Sequence, residues 1–158
     1  MRDQDVEIYY ESKTPFEVKR IKAAAVYCSD GRFGEPFDEL MQTGLELPRY
    51  DRLAIPGGAA CLAGHFSAYR EEEAAVAQLK FLVEIHGLEQ VVLIAHEECA
   101  FYTERLRISA LQLRSRQRED MEKAVRRVKA IDSRLAVHAF FAWKSDHGYV
   151  EFEPVSRP

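Results

Sequence analysis

The chain has 158 residues, 47% hydrophobic and 30% charged, with a formal net charge of −4. That composition belongs to a globular protein rather than a disordered one, and the length fits one domain with an ordinary hydrophobic core. No apolar stretch approaches the roughly 20 residues that span a bilayer, and the charge balance lacks the basic excess that nucleic acid would select.

The amino terminus, MRDQDVEIYYESK, is charged and lacks the apolar core of a signal peptide, so a cytoplasmic location is expected. Residues 6–10 (VEIYY) have the makings of a short strand. Polar residues follow, and residues 1–20 read as an arm ahead of a single domain over 21–158. IKAAAVYC (21–28) is the first buried strand, ending in the turn-rich CSDGRFG. Glu35 to Gly44 reads as a short helix with Pro36 in its first turn. YDRLAI (50–55) is the second strand, ended by Pro56-Gly57-Gly58. A long helix from about Ser67 to His86 carries Ala75, Leu79, Leu82 and Val83 at helical spacing, and Gly87 stops it.

Val91 to Ala95 is an unbroken apolar run of strand formers, the signature of a central strand covered on both faces. His96 and Cys99 follow at once. Residues 100–131 are helical in pattern, with a run of alternating charge from Arg114 to Lys129 that reads as an exposed face. RLAVHAFFAW (134–143) is a further strand, and YVEFEPV closes as an edge strand after a turn at 144–148. This alternation predicts an α/β fold: a mostly parallel central sheet flanked by helices, with a C-terminal antiparallel hairpin at its edge.

The chain has three cysteines, an odd count that suits metal or catalytic use better than a disulfide framework. Cys28 follows the first strand; His96 and Cys99 follow the third. In an open parallel sheet these ends share one edge, the edge where such folds place their chemistry. Two thiolates and an imidazole make a good zinc set, and three protein ligands leave a fourth position for catalysis. Asp30 or water would fill it. Cys61 reads as a packing residue, and Glu97 and Glu98 as a solvated turn. His65, His86, His138 and His147 read as structural or surface residues, His65 standing near enough to the Pro56-Gly57-Gly58 loop to reach a pocket there.

CSDGR at 28–32 resembles the Cys-x-Asp-x-Arg motif of β-class carbonic anhydrases, and His96-Glu97-Glu98-Cys99 resembles their His-x-x-Cys. The similarity spans about residues 21–153. It implies a Zn2+ ion held by Cys28, His96 and Cys99, with Arg32 clamping Asp30 off the metal so that water takes the open position. It implies a lyase that reversibly hydrates CO2 to bicarbonate by zinc-bound hydroxide, with Asp30 and Arg32 as its catalytic pair. It also implies a homodimer or larger homo-oligomer. Val6, Ile8, Tyr9, Tyr10 and Phe16 of the 1–20 arm stand ahead of any core strand and need a surface to cover, so the arm is expected to lie on the partner subunit.

The chain departs from that family where the second strand runs into Pro56-Gly57-Gly58-Ala59 in place of an Arg-Asn-Ala-Gly type segment. Ala95 and Ala100 stand where the family has glycines. The departures touch the substrate pocket and leave the ligands alone. They open the alternative of a zinc-binding homologue that is inactive or takes another small electrophile, such as carbon disulfide. A third reading rests on the IPGG stretch, which resembles the glutamine-amidotransferase and DJ-1-like family and would make Cys99 a nucleophile. It leaves Cys28, Asp30 and Arg32 without a role, and bulky Glu98 fits poorly beside a nucleophile.

Overall fold

A computed structural model describes residues 7–156. β1 (Ala23–Cys28) is buried along its whole length, as its apolar run requires. It lies between β2 (Asp51–Ile55) and β3 (Gln90–His96), parallel to both. β4 (Ala136–Lys144) adds in parallel to β3, and β5 (Val150–Ser156) returns antiparallel along β4. The order β2-β1-β3-β4-β5 is the mostly parallel sheet with an edge hairpin that the alternation of elements predicts. Pro154 lies in β5, an outer strand, where a residue without an N–H is tolerated.

The period of two along each strand sorts the core into two layers. Ala24, Val26 and Cys28 of β1 and Val91 and Leu93 of β3 face α2 (Tyr69–His86) and α3 (Ala110–Ile131). Ala23, Ala25 and Tyr27, with Val92 and Ile94, face α1 (Gly34–Glu39) and the turn after it, where they meet Phe37 and Met41. α2 buries Ala75, Leu79 and Val83 as its spacing predicts. Leu79 is fully enclosed, which contributes about 1.5–3 kcal/mol of hydrophobic stabilisation. No helix among the described residues is long and apolar enough to cross a membrane.

Connectivity places the site. From β1 the chain passes through α1 to β2 at one edge; from β3 it passes through α3 to β4 on the other side. The carboxyl ends of the adjacent strands β1 and β3 are therefore a topological switch point, where departing loops leave a crevice.

Three elements differ from the sequence reading. The helical stretch at 100–131 is broken: Phe101–Arg105 form one wide π-turn, and α3 starts only at Ala110. Burial of Phe101 and Tyr102 ties the first turn down, Arg107 reverses the chain at φ 59°, and Ser109 restarts it from an extended N-cap. Serine before a helix is a start signal that the charge pattern masked. The Glu35–Gly44 helix is present, but its second half, Leu40–Gly44, is also π-type. Residues 7–10 form no strand, and Val6 lies outside the described residues.

The loop after β2 lies against the backbone of β1. Gly58 has φ 51°, and a Cβ built there would stand 2.5 Å from the Cys28 nitrogen and the Tyr27 carbonyl carbon. Left-handed backbone and overpacking each cost on the order of 1–3 kcal/mol. Gly58→Ala is therefore expected to lower unfolding free energy in urea by at least about 2 kcal/mol. Gly31→Ala, where a Cβ meets nothing within 4 Å, is the control and is expected to stay within about 0.5 kcal/mol of wild type. Equal losses in the two variants would refute this account of the loop.

Candidate metal centre

β1 delivers Cys28 at its last residue, and β3 delivers His96 at its last residue. A two-residue turn follows β3, with Glu98 at φ 52°, and brings Cys99 back toward Cys28. One ligand atom from each of Cys28, His96 and Cys99 lies within 4.8 Å of the other two. The two sulfurs are 3.9 Å apart. Tetrahedral zinc with Zn–S bonds near 2.3 Å sets two sulfurs about 3.8 Å apart, so the spacing fits the ion.

His96 adds the decisive sign. Its ring is buried, Nδ1 lies 2.7 Å from the carbonyl oxygen of Glu97, and Nε2 has no hydrogen-bond partner among the described residues. A buried polar atom without a partner is costly. The Nδ1 contact, with the carbonyl as acceptor, leaves Nε2 as the lone-pair nitrogen a metal takes. The ring also packs on Phe33, 4.4 Å between centroids, which fixes its plane.

The sulfurs share a hydrogen bond, and it polarises the pair. The Cys99 thiol donates to Cys28 and pulls the Cys28 pKa down; contact with His96 and the amides of Gly57 and Asp30 help, against burial. The same bond, with burial, pushes Cys99 up. A cation held by both sulfurs would displace the second proton, since a ligating thiol is deprotonated outright. Cys61 is elsewhere: its thiol donates to the Pro56 carbonyl oxygen at 3.3 Å, and burial pushes its pKa up to about 12.

Asp30 and Arg32 form a two-pronged pair at the rim. Arg32 Nε lies 3.0 Å from Asp30 Oδ1, and a terminal nitrogen lies 2.6 Å from Oδ2. The Arg32 backbone N–H also donates to Oδ1. The guanidinium holds the Asp30 carboxyl down to about 2, and no Asp30 oxygen joins the three-atom cluster. Two clefts flank the centre. One of about 360 Å³ is lined by Arg32, Phe33, Glu97, Glu98, Lys144 and Tyr149. The other, about 540 Å³, is largely apolar and includes Ile55, Pro56, Cys61, Ala74 and Phe101.

Several contributors are silent in the motif reading. Phe33 was only a loop residue until its ring met His96. Glu98 pairs with Lys144 at 2.5 Å, a contact across 46 residues of sequence. Gln117 and Asp120 lie inside what reads as an exposed charged face, yet both are buried. Their signal is the 117-120-121-124-128 spacing, an inward stripe hidden among charges. His65 is paired with Asp120 and His86 with Asp51, at 2.5 and 2.6 Å.

A family model described as "Putative carbonic anhydrase" matches residues 18–153. A Rickettsia conorii protein described as uncharacterized is 30% identical over 108 residues, 68% of this chain and 56% of that protein, so the chain spans about half the length of that curated relative. Among solved structures, β-carbonic anhydrase isoform I of Trichomonas vaginalis shares the fold at a TM-score of 0.56 and 15% identity, covering 92% of this chain and 87% of the other. The β-carbonic anhydrase of Aspergillus fumigatus is more distant, with a TM-score of 0.45, 17% identity, and 89% and 78% covered. With the family match running through both strand ends of the site and nearly the whole sheet, the chain belongs to the putative carbonic anhydrase family, on a fold shared with a β-carbonic anhydrase.

Proposed function

We propose that this protein binds zinc through Cys28, His96 and Cys99 and is a lyase that interconverts CO2 and bicarbonate. The observation that carries the reading is the Asp30–Arg32 pair standing beside three converging ligand atoms, one of them a buried nitrogen without a partner. Bound there, zinc supplies Lewis acidity and makes a water acidic enough to act as nucleophile near neutral pH.

The remaining work falls to the chain. Arg32 spends its fork on Asp30 and so holds the carboxylate ionised and away from the ligand cluster. Asp30 keeps lone pairs free to accept a hydrogen bond from the attacking water, which fixes the orientation of its nucleophilic lone pair. Phe33 and the Pro56-Gly57-Gly58 turn crowd the site, which favours a small, uncharged substrate. We further propose a cytoplasmic protein, consistent with three unpaired cysteines. The apolar cleft beside Ala100 and Phe101 favours one second reading, the same metal centre acting on a less polar electrophile such as carbon disulfide. Cys99 as a nucleophile is disfavoured, because a buried thiol with a raised pKa is the reverse of an activated thiolate.

Assembly is part of the proposal. Ile8, Tyr9, Tyr10, Phe16 and Val18 are at least half exposed, and residues 7–20 of the arm carry no helix or strand. Phe81 and Ile85 are exposed on α2, and β2 leaves one edge unpaired. We propose a homodimer in which the arm of one subunit covers this side of the other.

Metal analysis and stopped-flow CO2 hydration on the purified protein test the core claim. About one zinc per chain is expected, lost in Cys28→Ser and Cys99→Ser and retained in Cys61→Ser; loss in Cys61→Ser would refute the ligand set. Arg32→Ala frees a carboxylate beside a cation. It is expected to keep its zinc, bring Asp30 onto the metal in a crystal structure, and lose hydration activity by at least about 100-fold, as removal of a positioning group commonly does. Arg32→Lys is expected to recover only part, because an ammonium cannot make the two-pronged contact. Unchanged activity in Arg32→Ala would rule the clamp out. For assembly, light scattering at micromolar concentration is expected to report a dimer, and removal of residues 1–18 is expected to weaken it. A monomeric full-length chain, or an unaffected truncation, would refute the arm exchange.

A further inference from the structure

α3 is rich in charge, yet its inward stripe of Met121, Ala124 and Val128 also contains Gln117 and Asp120. Each of these two is 1% exposed. An apolar residue at either place would complete the stripe, and burying an amide and a carboxylate there is costly unless their partners matter. Gln117 Nε2 donates to the backbone oxygen of His96 at 2.8 Å. Asp120 Oδ2 accepts from the Tyr102 hydroxyl at 2.8 Å and pairs with His65 Nε2 at 2.5 Å, while Oδ1 has no partner. The carboxylate is therefore turned toward Tyr102 and His65 at the expense of its own second oxygen.

These two grips bracket residues 96–102, the segment that holds both His96 and Cys99. Inside the bracket, the backbone amides of Phe101 and Tyr102 face the Cys99 sulfur. The Tyr102 N–H also donates to the Cys99 carbonyl oxygen at 3.0 Å. Fixing the Tyr102 hydroxyl thus fixes the amides around Cys99. Fixing the His96 carbonyl fixes the strand end that aims Nε2.

We propose that Gln117 and Asp120 are positioning residues of the metal centre, holding His96 and Cys99 in ligating geometry through the His96 carbonyl and the Tyr102 hydroxyl, with His65 steadying the Asp120 carboxylate. The inference rests on Cys28, His96 and Cys99 being metal ligands. Cys28 belongs to another strand and is held by the Gly57 and Asp30 amides, so release of the α3 grip disturbs two ligands and spares the third.

The test uses the full chain with zinc or cobalt(II) as probe. Zinc affinity is measured by competition with a chromophoric chelator, and the ligand field by the visible spectrum of the cobalt form. Gln117→Met and Tyr102→Phe are each expected to weaken zinc about 10–100-fold, the usual effect of losing an outer-shell partner. Both are expected to shift the cobalt bands while the melting temperature of the metal-free protein stays within a few degrees of wild type. Asp120→Asn keeps an oxygen that accepts from Tyr102 and is expected to lie closer to wild type than Tyr102→Phe; the reverse order overturns the proposal. So does a lower metal-free melting temperature with an unchanged cobalt spectrum, the mark of a purely structural role. If Gln117→Met does not fold, Tyr102→Phe decides, since it removes a single oxygen. Wild type that binds zinc tightly with variants to match overturns this inference alone, whereas wild type that binds none overturns the metal-centre reading with it.

Discussion

Everything at the site depends on the parallel pairing of β1 with β3. That register sets Tyr27 opposite Ile94, so Cys28 and His96, each the last residue of its strand, reach the same sheet edge together. Chain direction alone would not achieve this: the strands must also be neighbours whose onward connections diverge, or a loop would fill the crevice. The small side chains of Ala23, Ala24 and Ala25, all fully enclosed, let both helical layers close on β1. The same tightness brings Gly58 against the Cys28 backbone. The core and the metal centre are therefore not separable structures.

Two kinds of electrostatics meet at this edge. Asp30 and Arg32 are two residues apart in a turn, and the arginine is largely exposed. Their partnership is local geometry, two-pronged and strong enough to keep the carboxyl ionised. The sulfurs and the imidazole are buried, so their polarity is costly unless something compensates it. The hydrogen bond between the thiols compensates part, and the unpartnered Nε2 of His96 is the part left over. A cation in the cluster would satisfy all three groups at once.

The sheet follows the fold of a solved β-carbonic anhydrase, and the loop after β2 shapes the rim. Pro56-Gly57-Gly58 gives a backbone that hugs β1 and presents amides rather than side-chain charge, with Gly57 pressed against the Phe101 ring. The result is an apolar cleft on one side of the centre and a polar one, lined by Arg32, Glu98 and Lys144, on the other. The two clefts lining this edge are of opposite character.

The sequence by itself determined the elements whose signal is local. The apolar runs at 23–28 and 91–95 point to buried parallel strands because they are short, bounded by turn formers or polar residues, and apolar on both faces. The Cys28-x-Asp30-x-Arg32 and His96-x-x-Cys99 spacings specify a pair and a turn, because residues two or three apart can meet only in a few ways. Only the tertiary structure decided what depends on contacts between distant segments. Gln117 reaches the His96 carbonyl across 21 residues and His65 reaches Asp120 across 55; helical spacing can mark 117 and 120 as inward, but no local pattern says what they touch. The charged helix was legible as a helix, but its end was not, because the π-turn at 101–105 follows from burying Phe101 and Tyr102 rather than from propensity. Strand and motif are written in short-range sterics. The environment that tunes the site comes from packing, which the chain settles only when it closes on itself.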